Sequence, residues 1–159
     1  MGSAIGLVAR PVSLLTILLC VAAPSARAVS SSDDAVLADT ALTQLETRAE
    51  SAPPRDQCFL YTELVNDLTE VAGKQLAAGD TTQAGMTIRR IDTLAQKIHM
   101  SLARDTRRLK NAELLMHHTT RRLADMLHVA PNEDRPVLQS TLNRLDSVQT
   151  ELLTQVFIH

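Results

Sequence analysis

The chain has no tryptophan, one tyrosine and two phenylalanines. That scarcity excludes a core built on aromatic rings, and it removes the stacking surfaces on which proteins bind single-stranded nucleic acid. Cysteine is also scarce. Cys20 and Cys58 are the only two, so neither a paired-cysteine zinc pattern nor a disulfide framework can be written. There is no glycine-rich phosphate loop. Only one apolar run stands out, Val12 to Ala23, and it is too short to span a bilayer comfortably. From Thr82 to His128 there is no proline, and the one glycine is Gly85 in the first turn.

The beginning of the chain reads as an export signal. Arg10 gives a positive n-region, Val12 to Ala23 the apolar core, and Ala26-Arg27-Ala28 an A-x-A cleavage site. Cleavage after Ala28 is expected, and with it a periplasmic or secreted location. Bacterial lipidation at Cys20 is disfavoured because Leu19 precedes it where a small residue is needed. Residues 1–28 are therefore assigned to the signal peptide. The remaining chain loses Arg10 and Arg27 and carries a net charge of −4. It keeps only Cys58, so no intramolecular disulfide is available to it. No later run is apolar enough for a membrane span.

What is present is helical periodicity. In heptads over residues 82–128, the a positions are Ile88, Ala95, Leu102, Leu109, Met116 and Leu123. The d positions are Ala84, Ile91, Ile98, Asp105, Ala112, Thr119 and Met126. This is a seam of period 3.5, with Leu94 and Leu115 at g widening the stripe into a bundle face. Nothing alternates with period two, which rules out strands. Asp80 caps the start, Gly79 suits a left-handed residue before it, and Pro131 ends the pattern. Read as continuous, the helix is about 70 Å long. A globule of this size has a radius of gyration of about 14 Å. The expected fold is all-α, an elongated antiparallel bundle around one long central helix.

The flanking segments follow the same logic. Residues 29–53 form an N-terminal helix whose stripe is thin and alanine-rich, Ala35, Ala38, Leu42, Leu45 and Ala49. Such a stripe buries little, so the helix is expected to dock loosely or fray. Pro53-Pro54 ends it. Residues 54–159 make the bundle domain. Its second helix presents Cys58, Tyr61, Leu64, Val65, Leu68, Val71, Ala72 and Leu76, with Gly73 inside. The last presents Leu138, Leu142, Leu145, Val148, Leu152 and Val156, with Leu153 and Phe157 beside them. Both must turn back on the long segment.

The long segment has nine basic residues against four acidic ones, while the rest of the chain after residue 28 has five against fourteen. A basic centre between acidic flanks guides register and partner choice. The competing reading is a strip for an anion such as nucleic acid. A negative net charge, export and the lack of interleaved aromatics argue against nucleic acid.

Site chemistry is thin. Glu113 and His117 share a helix face at i, i+4, which is half of a metal site. The stripe Glu113, His117, Arg121, Asp125, His128 alternates acid and base and reads more simply as a solvated face. Cys58 reads as a buried, inert thiol. Asp105, a polar d position, marks either an open stretch of seam or a residue that fixes register, pairing with Arg104 or Arg108. With Leu94 and Leu115, these are the candidate interaction positions. No cofactor is implied, and no enzyme.

The segments Leu109-Lys-Asn-Ala-Glu-Leu-Leu-Met-His-His-Thr, Glu133-Asp-Arg-Pro and Val148-Gln-Thr-Glu-Leu-Leu-Thr-Gln-Val-Phe resemble small exported helical proteins of acidobacterial type. The resemblance runs over roughly Pro54 to Phe157. It implies a bacterial exported protein and brings no activity or site residue. The leading expectation is an exported, non-enzymatic helical protein acting through a protein partner or as a homodimer. The alternative is a periplasmic stress adaptor that binds metal or an anion. The expected dimer places two long helices antiparallel about a two-fold axis near Asp105; the competing reading is a monomer whose long helix breaks near Asp105 and folds into a four-helix bundle.

Overall fold

The structure is a computed structural model that describes residues 29–102 and 107–158. Those residues are all-helical: α1 Val29–Ser51, α2 Pro54–Ala77, α3 Thr81–Ser101, α4 Leu109–Val129 and α5 Arg135–Ile158. No strand occurs among them. Residues 1–28, with the cleavage positions Ala26 and Ala28, lie outside the described residues, as do Arg104 and Asp105.

The α2–α3 turn forms as its residues dictate. Gly79 takes φ +78°, the left-handed conformation that closes a helix end. Asp80 then accepts a hydrogen bond from the Gln83 N–H through its side chain, at 3.1 Å. A chain reversed this tightly lays α3 antiparallel against α2. The α4–α5 connection at Pro131 reverses the chain a second time.

The long helix expected over residues 82–128 is two helices, α3 and α4. Leu102 closes α3, its N–H reaching the carbonyls of Ile98 and His99. The Arg107 N–H donates to the Arg55 carbonyl at the start of α2, at 2.8 Å. Arg108 then takes φ 59°, ψ 28°, the left-handed region, and α4 begins. The reason is burial. A straight rod would leave both halves of the seam wet, and folding it back sends both into one core. Ile88, Ile91, Leu94, Ala95 and Ile98 from α3 and Ala112, Met116 and Leu123 from α4 are all 0–1% exposed. The antiparallel dimer of long helices expected from the sequence loses its premise, because no 47-residue rod exists to form it.

The four helices α2–α5 form a square bundle. Neighbouring pairs are α2 with α3, α2 with α4, α3 with α5 and α4 with α5. Among the described residues α3 and α4 stay more than 8 Å apart (Cα–Cα), as do α2 and α5. These are the two diagonals. The hairpins α2–α3 and α4–α5 lie side by side and point the same way. Asn66 therefore meets Thr119 and Glu70 meets Arg122 across α2 and α4. Likewise Asp92 meets Arg144, at 2.6 Å, and His99 meets Glu151, at 2.6 Å, across α3 and α5. The core holds Leu64, Val65, Leu68, Leu138, Leu145 and Leu152 beside the α3 and α4 residues.

α1 makes a third layer. It approaches α2, burying Leu42 and Ala49, and it reaches α3 through Glu46 with Arg90 and Glu50 with Lys97. The Lys97 ammonium also lies 5.4 Å from the Tyr61 ring centre. Glu50 bonding holds that ammonium above the usual lysine range. α1 has no close approach to α4 or α5 among the described residues. The order of layers is therefore α1, then α2–α3, then α4–α5.

Gly73 invites a test. A Cβ built there would sit 3.5 Å from the Met126 sulfur, which is ordinary contact. The helix thus carries glycine's entropic cost without a steric need for it. Gly73→Ala is expected to raise stability by about 0.5–1 kcal/mol in urea denaturation. A loss of stability would mean that α2 and α4 lie closer than described here.

Candidate functional site

Two carboxylate oxygens, Glu63 Oε2 and Asp134 Oδ2, are buried without a hydrogen-bond partner, each on a half-buried residue. Among the described residues the fully buried polar side chains are all hydroxyls: Thr62, Thr69, Ser101, Thr119, Thr120 and Thr141. Each donates to a carbonyl of its own helix one turn back, at 2.7–3.1 Å. Hydroxyls so engaged satisfy themselves and are not aimed at a ligand. Cys58 is fully buried, and burial pushes its thiol up to about 12 despite hydrogen bonding by Ser101 and Thr62. It is a core residue and a poor nucleophile.

The remaining sequence candidates separate. Leu94 is core and Leu115 is half-buried. Glu113 is half-buried and His117 exposed. The Nδ1 of His117 lies 3.1 Å from the Gln149 amide nitrogen, and its ring sits 6.0 Å from that of His118. Among the described residues no group of three or more His, Cys, Asp or Glu is placed to hold a metal.

Arg108 does something the sequence did not signal. Its left-handed backbone turns the guanidinium onto the Phe59 ring, 3.6 Å from the centroid. That stacking against a buried ring offsets a conformation that costs an L-residue roughly 1–2 kcal/mol. The same residue lines a shallow cavity of about 330 Å³ with Arg48, Asp56 and Leu60. The clefts along α3 and α5 are also shallow and open, and the Asp92–Arg144 and His99–Glu151 pairs bridge that seam.

The outer face of α4–α5 is the distinctive surface. α1 covers the equivalent outer side of α2–α3, whereas no described element covers this one. On it Leu114 is 56%, Leu153 41% and Phe157 81% exposed. Exposed large apolar side chains gathered on one face mark contact surfaces more often than isolated ones do. Helical spacing extends the surface into two stripes. Lys110, Leu114, His117 and Arg121 run along α4 in steps of four, three and four. Asp146, Thr150, Leu153 and Phe157 run along α5 in the same steps, and all eight are exposed. Sequence periodicity placed Leu153 and Phe157 beside the core face but gave no sign of a common surface with α4. Comparison with family models, with curated proteins and with solved structures finds no match.

Proposed function

We propose that this is an exported, non-enzymatic bacterial protein that acts through protein–protein contacts, with the outer face of α4–α5 as its contact surface. The observation that carries the reading is the uncovered apolar trio Leu114, Leu153 and Phe157 on the one hairpin that α1 leaves bare. Among the described residues no helix is long and apolar enough to cross a membrane. Export rests on Arg10, the apolar run Val12 to Ala23 and the A-x-A site at Ala26 and Ala28.

A photo-crosslinking amino acid at Leu153 tests this in the producing cell. The expected result is a discrete protein adduct on the exported chain, with intact mass showing an N-terminus at Val29. A chain that crosslinks to nothing at Leu153, while a control position within the α1–α2 contact does crosslink, would refute the contact reading. A retained Met1 would refute export.

A further inference from the structure

We infer that the surface on α4–α5 fits a second copy of this chain, docked about a two-fold axis parallel to the bundle. The inference rests on the contact reading above and names its partner. It follows from the levels of the two stripes. His117 and Thr120 of α4 both reach Gln149 of α5, at 3.1 and 2.8 Å. The two helices are antiparallel, so a step up α4 matches a step down α5. Lys110 is then level with Phe157, Leu114 with Leu153, His117 with Thr150, and Arg121 with Asp146.

A two-fold axis parallel to the helices places α4 of one copy over α5 of the other without changing level. Each α4 residue then faces a chemically matched residue. Leu114 meets the partner's Leu153. Arg121 meets the partner's Asp146. Lys110 meets the face of the partner's Phe157, where a cation is favoured. These three matches occur twice by symmetry. An axis perpendicular to the helices, setting α4 on α4, would instead bring Lys110 against the partner's Arg121. Like charges so placed oppose association. Neither Lys110, Arg121 nor Asp146 has an ion pair among the described residues of its own chain, which fits a role for their charges across the interface. The stripes span roughly 17 Å, which suits a reversible dimer rather than an obligate one.

The test is sedimentation equilibrium of the full chain lacking residues 1–28, from low micromolar to hundreds of micromolar. Circular dichroism serves as the folding check. The wild type is expected to reach twice the monomer mass. Arg121→Asp and Asp146→Arg should each weaken association roughly tenfold, and the double swap should restore it to within about threefold of wild type. Leu114→Glu should leave a folded monomer. A wild type that stays monomeric throughout overturns the inference, and so does a dimer indifferent to both single changes. A monomer whose Leu153 crosslinker traps a different polypeptide overturns it too but leaves the contact reading standing.

Discussion

In the native protein, Cys58 should react with a maleimide or disulfide reagent about a thousandfold more slowly than an exposed cysteine at pH near 8. The reacting species is the thiolate. Burial raises the Cys58 pKa from 9.0 to about 12, which lowers its thiolate fraction about a thousandfold, and zero exposure slows the reagent further. Denaturant should restore ordinary reactivity. The measurement is a labelling time course on the Cys20→Ala chain with and without urea. Fast native labelling would place Cys58 outside the core and contradict the packing of α2.

The same shift ties stability to alkaline pH. The unfolded thiol ionises from about pH 9, while the folded thiol stays neutral toward about 12. The unfolded state therefore gains stability first as pH rises. The burial contribution is fully present below pH 9 and is lost between about 9 and about 12. At pH near 10.5 the loss should reach about 2 kcal/mol, from about 1.4 kcal/mol per unit. Cys58→Ala should lack this loss, and the difference between the two denaturation series isolates the thiol.

Much of the fold was legible because local chemistry and burial agreed. Gly79 and Asp80 announced the α2–α3 turn, and Pro131 announced the end of α4. The spacing of Cys58, Tyr61, Leu64, Val65, Leu68 and Ala72 fixed the buried side of α2, and all six are buried. The excess of basic residues after Thr82 and of acidic ones before it reappears as Glu46 with Arg90, Glu50 with Lys97 and Glu70 with Arg122.

The break between α3 and α4 was legible only as a competing reading, a helix broken near Asp105, and the seam itself could not decide for it, for a physical reason. Leu102 and Leu109 are one heptad apart, so the seam keeps its phase across the break. A heptad records which face is buried, not whether the axis continues. Arg108 hid the turn as well, since a left-handed position is normally signalled by glycine or asparagine and is held here by Phe59. The contact surface was illegible for a different reason. Leu114 belongs to no buried stripe of α4, and only the antiparallel pairing with α5 sets it level with Leu153. Of the alternating stripe, Glu113 is half-buried and His117, Arg121, Asp125 and His128 are exposed, and its neighbour Leu114 is what makes that side of α4 distinctive.

The folding-back of residues 82–128 is the claim on which the rest depends. Spin labels at Thr82 and His128, both exposed, measure it by pulsed electron–electron double resonance. The Cys20→Ala, Cys58→Ala chain is used, diluted with unlabelled protein so that only distances within one chain are seen. The start of α3 and the end of α4 share one end of the bundle, across its diagonal. With neighbouring axes about 8–10 Å apart, that diagonal is roughly 11–14 Å, and labels on flexible arms should give a distance below about 30 Å. A distribution centred near 70 Å, the length of a straight helix over these residues, would contradict the bundle.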